Sequence, residues 1–184
     1  SYVSDEIKAL HEKAKEKGVL LLNEIGLDPG IDHLSAKKII DEIHSKGGEI
    51  TLFKSFCGGL VDPEYDDNPW NYKFTWNPRN VVLAGQGTAQ FIRNNLYKYI
   101  PHHKLFKRVE EVEVLNEGIF EAYANRDSLS YRDMYNLSEI PTMLRGTLRR
   151  PGFSRAWDVF VQLGMTDDTF ELSNVSEMTH REFV

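Results

Sequence analysis

Arginine is concentrated in one short segment of this chain. Residues 145–150 read Arg-Gly-Thr-Leu-Arg-Arg, so three of six side chains carry a guanidinium group. Arg145 and Arg149 are four residues apart, which puts them on one face of a strand because strand side chains alternate. Guanidinium groups bind carboxylates and phosphates in a bidentate manner, so the segment could form part of a site for a small anion. For this cluster alone a solvated edge strand is the better interpretation, and an anion site is suggested only together with Arg126.

Two loops carry the other candidate side chains. Residues 26–30 contain glycine and proline and follow an apolar run at residues 19–22. Ligands of open α/β sheets bind at the carboxyl ends of strands, so Asp28 could act there as a general acid or base, or could bond the backbone of its own turn. Residues 125–128 read Asn-Arg-Asp-Ser, in which Arg126 could bind an anion or lie in an ordinary polar turn.

Residue content argues against several kinds of site and partner. Cys57 is the single cysteine and the histidines lack partners at ligand spacing, so no metal site is predicted. No phosphate-binding glycine loop and no nucleophile elbow occur. A net charge of −6 argues against nucleic-acid binding, and no apolar run is long enough to cross a membrane. A lone cysteine fits a reducing compartment but fits many others too; a cytoplasmic location is expected.

The elements that position these residues are predicted from hydrophobic periodicity. The pattern predicts an α+β fold with helices packed on a mostly antiparallel or mixed sheet. Helices are predicted over residues 5–17, 32–46, 78–94, 130–137 and 153–164. Strands are predicted over residues 19–22, 49–57, 72–76 and 142–149, with two or three antiparallel strands within residues 96–124. The first helix and strand resemble the last step of a parallel sheet, and the chain starts without Met, so we expect it to be part of a longer protein.

Six motifs together resemble the family of glutamate-forming saccharopine dehydrogenases. They occur in the family's order and at about its spacing, and the set is specific although each motif alone is weak. The motifs are residues 26–33 (Gly-Leu-Asp-Pro-Gly-Ile-Asp-His), 56–60 (Phe-Cys-Gly-Gly-Leu), 67–69 (Asp-Asn-Pro), 72–76 (Tyr-Lys-Phe-Thr-Trp), 125–128 (Asn-Arg-Asp-Ser) and 145–149 (Arg-Gly-Thr-Leu-Arg).

The resemblance implies a domain organisation and an activity. Family members have an amino-terminal Rossmann domain that binds NADP(H) and an inserted α+β domain that closes over the substrate and forms a homodimer. Residues 1–25 would then be the end of the Rossmann domain, residues 26–172 the substrate-binding and dimerisation domain, and residues 173–184 a tail. The implied activity is an oxidoreductase reaction of lysine metabolism, the interconversion of saccharopine with L-glutamate and 2-aminoadipate 6-semialdehyde. The isolated chain is expected to be inactive, because most NADP(H) contacts would lie upstream.

The resemblance also implies roles for single residues. Saccharopine would be bound by Ser1, Tyr2, Arg126, Thr147, Leu148 and Arg149, and its carboxylates by the arginines. Gly26, Leu27 and Asp28 would lie near the nicotinamide and the substrate. Hydrolysis of the imine needs a proton shuttle, for which Asp28, Tyr2 and Cys57 are the candidates, left unranked. Cys57 could equally be a small buried residue.

The chain departs from the family's pattern at two places. Residues 61–63 read Val-Asp-Pro where Pro-Ala-Pro is common, and Arg150 stands where a tyrosine is common. Two alternatives stay open. One is a reductase like the carboxynorspermidine dehydrogenases, which share the fold and the Asp-Pro-Gly loop. The other is a non-catalytic module that binds carboxylates or forms a dimer. The motifs at residues 125–128 and 145–149 favour saccharopine.

Overall fold

The computed structural model of the protein describes residues 3–75 and 77–184, which form an α+β fold around a 6-stranded, mostly antiparallel sheet. The strands are β1 (Leu52–Cys57), β2 (Ala89–Arg93), β3 (Leu96–Ile100), β4 (Glu110–Val114), β5 (Gly118–Ala124) and β6 (Thr142–Arg149). The helices are α1 (Asp5–Ala9), α2 (His11–Glu16), α3 (Ile31–Ser45), α4 (Pro78–Leu83), α5 (Phe153–Gln162) and α6 (His180–Phe183). No helix in these described ranges is long and apolar enough to span a membrane.

Strand β6 holds the sheet together. β1 lies parallel to it along one edge, with Cys57 opposite Thr147. β2 and β5 lie antiparallel along the other edge, β2 opposite Met143 and β5 opposite the segment 146–149. β3 and β4 complete the sheet beside β2 and β5. Because β1 and β6 are parallel, their carboxyl ends at Cys57 and Arg149 meet at the same edge of the sheet.

The core consists of two apolar clusters that meet at β6. One is built around α5, whose residues Phe153, Trp157 and Val161 are spaced four apart and lie on one buried side of the helix. The other is built around α3 and the segment that follows β5. Met143 belongs to the α3 cluster and Leu144 to the α5 cluster, as expected for neighbours on a strand whose side chains alternate.

Several predicted elements are confirmed. The strand predicted over residues 142–149 occurs as β6, and the helix predicted over residues 153–164 occurs as α5. Strand β1 lies within its predicted range, and helix α3 is shifted by one residue toward the amino terminus from the predicted range 32–46. Three antiparallel strands occur within residues 96–124, as the alternation predicts.

Two predicted helices are wrong over most of their length. The helix predicted over residues 78–94 ends at Leu83, because Gly87 adopts an extended conformation and the chain continues into β2. The segment 130–137 forms successive turns instead of a helix. The carboxylate of Asp127 accepts the backbone N–H groups that begin these turns, and Asn136 has a left-handed φ of 56°.

Two predicted strands do not form. Residues 19–22 pair with no strand in the described part of the chain, and Leu20 is 80% exposed; a strand needs a neighbour to satisfy its backbone groups. Residues 72–75 are irregular, and Trp76 lies outside the described residues. The tail predicted over residues 173–184 contains α6, whose start at Thr179 is a capping box.

Candidate functional site

The loop at residues 26–30 is closed on itself by backbone hydrogen bonds. The N–H of Gly26 donates to the carbonyl of Pro29 (3.0 Å), and the N–H of Ile31 donates to the carbonyl of Gly26 (2.9 Å). Gly30 has a φ of 153°, and a Cβ there would lie 2.1 Å from the Gly26 oxygen, so only glycine fits. The loop presents Asp28 and leads directly into α3.

Asp28 is held by an arginine from the middle of β6. Nη2 of Arg145 lies 3.2 Å from Oδ1 of Asp28 and 2.8 Å from Oδ2 of Asp32, in the first turn of α3. The exposed fractions of the side chains are 4% for Arg145, 8% for Asp32 and 23% for Asp28. Asp28 is therefore the member of this buried group that reaches solvent.

Aromatic side chains enclose this group. The guanidinium of Arg145 lies 4.6 Å from the ring centre of Tyr131, on which His33 also stacks. Nδ1 of His33 is hydrogen bonded to the hydroxyl of Tyr135 at 2.5 Å. Burial lowers the pKa of His33 and raises the pKa of Tyr131 to about 12. These groups are therefore neutral near neutral pH, and Asp28, Asp32 and Arg145 carry the charges of the cluster.

Cys57 lies at the end of β1, half-buried and opposite Thr147. Burial raises the pKa of its thiol, and the negative charges of Asp28 and Asp32 raise it further, against the opposing effect of Arg145. Cys57 is therefore a protonated thiol near neutral pH. It is better suited to donate a proton than to accept one.

Arg149, at the end of β6, is buried among aromatic rings. Its guanidinium carbon lies 4.9 Å from the ring centre of Tyr72 and 5.0 Å from that of Phe153. The residue is only 7% exposed, and its Nε has no hydrogen-bond partner. Among the ion pairs of the described residues, none involves Arg149.

The glutamate closest in register to Arg149 is used elsewhere. Glu121 is its partner on β5, but the carboxylate of Glu121 accepts the backbone N–H groups of Gly152 and Ser154 at the start of α5. The positive charge of Arg149 is therefore not balanced within the described part of the chain. A buried guanidinium in this state favours a carboxylate from a ligand.

The backbones of β1 and β6 approach closely where the two strands end. A Cβ on Gly58 would lie 2.3 Å from the carbonyl oxygen of Leu148, whereas the nearest atom to a Cβ on Gly59 would be Oγ1 of Thr75 at 3.9 Å. Thr147 and Leu148 are half-buried at this point. The structure thus brings the predicted residues Cys57, Thr147, Leu148 and Arg149 together at one edge of the sheet.

The remaining predicted site residues are placed differently. Arg126 is exposed, its guanidinium donates to the carbonyl of Leu83 (3.4 Å), and its side chain lies along Gly87, so these contacts lie apart from those of Arg149. The backbone of its motif does reach the site, because the N–H of Asn125 donates to the carbonyl of Arg145. Ser1 and Tyr2 lie outside the described residues.

The loop at residues 26–30 suits contact with the nicotinamide ring of NADP(H) but not with its phosphates. The N–H groups of Gly26, Ile31 and Asp32 bond backbone carbonyls, and the N–H of Gly30 donates to Asp32, so these four do not offer a cradle for phosphate. The side chain of Leu27 is 59% exposed and suits contact with a planar ring such as nicotinamide. No group of three or more metal-binding side chains occurs in the described ranges.

Four residues of the site were not predicted as site residues: Asp32, His33, Tyr131 and Tyr135. Asp32 and His33 lie in the motif at residues 26–33, which could have drawn attention to them. Tyr131 and Tyr135 carry no signal in the sequence, since their role depends on contact with His33 from about 100 residues away in the chain.

Comparisons with known proteins identify relatives of this chain. The family model described as the saccharopine dehydrogenase C-terminal domain matches residues 26–182. The saccharopine dehydrogenase [NADP(+), L-glutamate-forming] of Pyricularia oryzae is 42% identical over 91% of this chain and 37% of its own length. The alpha-aminoadipic semialdehyde synthase of Arabidopsis thaliana is 44% identical over 91% of this chain and 16% of its own length.

A solved structure agrees with these sequence matches. The apo, histidine-tagged saccharopine dehydrogenase (L-Glu forming) of Saccharomyces cerevisiae matches with a TM-score of 0.82 and 39% identity, covering 93% of this chain and 38% of that chain. The chain therefore spans well under half the length of these relatives. The family model, the sequence identity and the fold agree: the chain belongs to the saccharopine dehydrogenase C-terminal domain family.

Proposed function

We propose that this chain supplies the substrate-binding side of an NADP(H)-dependent enzyme that interconverts saccharopine with L-glutamate and 2-aminoadipate 6-semialdehyde. The observation that carries the proposal is Arg149, a buried guanidinium without a carboxylate partner in the described part of the chain. Saccharopine has three carboxylates, and one of them would neutralise this charge. The rings of Tyr72 and Phe153 exclude water around the pair and so strengthen it.

The parent protein is the proposed setting for this role. Residues 1–25 would be the end of a Rossmann domain that binds most of NADP(H), and Leu27 would contact the nicotinamide, which accepts the hydride during oxidation of saccharopine. Arg126 is exposed and would bind a second substrate carboxylate as the domains close. The proposal includes a homodimer, a cytoplasmic location, and no nucleic-acid or membrane partner.

Asp28 is the proposed proton acceptor in the hydrolytic half of the reaction. Oxidation of the secondary amine gives a protonated imine, and water adds to the imine carbon while one water proton passes to Asp28. Asp28 returns this proton to the nitrogen of the carbinolamine. The hydroxyl proton then passes to Asp28 as the C–N bond breaks and the carbonyl forms, and from Asp28 to the released amine, so both protons of water end on the amine nitrogen. Asp28 suits this role better than Cys57, because the raised pKa of Cys57 keeps its thiol protonated.

A chimeric enzyme tests the proposed function. The matching segment of the Saccharomyces cerevisiae enzyme is replaced by this chain, and reduction of NADP⁺ is measured with saccharopine. We expect turnover, and we expect Arg149→Gln to lower kcat/KM by about 30- to 1000-fold, equivalent to roughly 2–4 kcal/mol. Arg126→Ala should cost a similar amount if Arg126 binds a carboxylate.

The control is Arg155→Gln, an exposed arginine on α5, which should leave kcat/KM unchanged. An unchanged kcat/KM for Arg149→Gln would contradict the role of Arg149. Turnover with a diamine substrate but not with saccharopine would favour the carboxynorspermidine type. Binding of saccharopine by the chain, with no turnover in the chimera, would favour a non-catalytic module.

A further inference from the structure

We propose that Arg145 is a positioning residue that fixes the carboxylate of Asp28, and that it does not bind substrate. The inference rests on the proposed function, because it concerns the proton acceptor of that site. It separates two arginines of one motif that the sequence alone treats as equivalent.

The charge of Arg145 is already paired within the chain. Its guanidinium lies between Asp28 and Asp32 and against the ring of Tyr131, and its side chain is 4% exposed. Its backbone is fixed as well, because its N–H donates to Oγ of Ser128 at 2.8 Å. With two carboxylates at its Nη2 and a side chain that is 4% exposed, Arg145 is poorly placed to bind a third carboxylate from a substrate.

Arg145 also fixes the shape of the loop that carries Asp28. Oδ2 of Asp32 accepts from Arg145, while Oδ1 of Asp32 accepts the N–H of Gly30 at 2.8 Å. The arginine is therefore connected to the loop twice, directly through Asp28 and indirectly through Asp32 and Gly30. This arrangement aims the more exposed carboxylate, Asp28, out of the cluster.

The charges of the cluster suit a proton acceptor. Two carboxylates face one guanidinium, and His33 is neutral because burial lowers its pKa, so the net charge is about −1. One proton can be taken up without creating a net positive charge in a buried place. Asp28 is the member positioned to take it, because its side chain is 23% exposed, against 8% for Asp32.

Cys57 provides a readout of these charges in the chain itself. The charged groups that act on its thiol are Asp28, Asp32 and Arg145. Cys57 is the only cysteine of the sequence, so the rate of alkylation by iodoacetamide against pH reports this one thiol. Tenfold in the thiolate fraction corresponds to one pKa unit.

Three variants separate charge from geometry. Arg145→Met removes the positive charge and should slow alkylation by roughly three- to tenfold at a pH below the thiol pKa. Asp28→Asn removes a negative charge and should accelerate it. Arg145→Lys keeps the charge and should change the rate less than about twofold. Mere loosening of the fold would expose the thiol and accelerate alkylation in Arg145→Met, so acceleration there overturns the proposal.

If Arg145→Met does not fold, Asp28→Asn and Arg145→Lys still test whether Arg145 holds Asp28 in place. No acceleration in Asp28→Asn means that Asp28 is not held at this cluster and overturns the proposal.

In the chimeric enzyme, Arg145→Lys should lower kcat at least tenfold with little change in KM for saccharopine, whereas Arg149→Lys should raise KM. A rise in KM for Arg145→Lys as large as that for Arg149→Lys would show that Arg145 binds substrate. A chimera without turnover refutes the proposed function, while the alkylation rates still decide on Arg145.

Discussion

Arg145 and Arg149 lie on the same strand, four residues apart, in opposite electrostatic situations. Both are buried, with exposed fractions of 3% and 7%. Arg145 is bound by two carboxylates of its own chain, whereas Arg149 is surrounded by rings and has no ion pair in the described residues. Burial alone therefore does not distinguish the roles of the two arginines. The roles are distinguished by whether a carboxylate of the described residues pairs with the guanidinium.

The difference arises from the carboxylates that neighbouring elements place beside each arginine. The loop at residues 26–30 and the start of α3 carry Asp28 and Asp32 to Arg145 from more than a hundred residues away. At Arg149 the neighbouring β5 offers Glu121, but α5 binds that carboxylate at its first turn. The same residue type is thus fixed in one place and left available for a ligand in the other.

The largest expected effect is on stability. Arg145→Met should lower the free energy of unfolding by up to about 3–5 kcal/mol, because it leaves the buried carboxylate of Asp32 and the partly exposed carboxylate of Asp28 without a counter-charge. Arg149→Met leaves no such charge, and should be neutral or stabilising. Urea unfolding followed by circular dichroism measures both. Equal losses in the two variants would abolish the distinction between the two arginines.

The next effect isolates the end of the strand that carries Arg149. Gly58→Ala should cost about 1–3 kcal/mol, because its Cβ would meet the backbone oxygen of Leu148 and force β1 away from β6. Gly59→Ala is the matched control, since its Cβ would find only Thr75 at 3.9 Å. Urea unfolding gives the two costs, and calorimetry with saccharopine should show a loss of affinity for Gly58→Ala alone. If both substitutions are tolerated, the close approach of β1 and β6 is not required.

A smaller effect tests why Arg149 lacks a partner. Glu121→Gln should lower the free energy of unfolding by roughly 1 kcal/mol, because a charged acceptor at the start of α5 is lost. The affinity for a dicarboxylate should stay within about twofold, since Glu121 does not neutralise Arg149. A large gain in affinity would mean that Glu121 competes with the ligand, and would weaken the comparison.

The smallest effect concerns the surroundings of Arg145. The pKa of His33 is lowered from 6.5, chiefly by burial and against the attraction of Asp32. The unfolded chain therefore binds the proton more readily, so the stability that depends on neutral His33 is present above pH 6.5 and is lost as the pH falls below it. His33→Gln should flatten the loss of stability in urea between about pH 7 and pH 5, whereas substitution of the exposed His44 should not. Identical pH dependence in the two variants would contradict the lowered pKa.

The sequence predicts the frame of the fold better than its details. The run that forms β6 and the spacing of four that forms α5 are long and regular enough to be decisive. The apolar residues of β2, Phe91 and Ile92, fit a helix or a strand equally well over so short a stretch. They form a strand because β2 pairs with β3 on one side and with β6 on the other.

The candidate site could be predicted only in part for the same physical reason. The motifs located Asp28, Cys57 and Arg149, and the structure brings Cys57 and Arg149 to one edge of the sheet. The pairing of Arg145 with Asp28 spans 117 positions, and no local pattern distinguishes it from an arginine that binds substrate. The contact between His33 and Tyr135 joins residues 102 positions apart, and no local sequence pattern predicts it.

The closed loop at residues 26–30 has a mechanical consequence. Helices α1 and α2 bury no side chain, so the shape of the loop does not depend on packing against them. Gly26 is fixed on both sides, because its N–H donates to the carbonyl of Pro29 and its own carbonyl accepts the N–H of Ile31. Asp28 is fixed separately, by Arg145, on the far side of those bonds. The position of this carboxylate is therefore set by contacts with α3 and β6, and does not require contacts from the segment before Gly26.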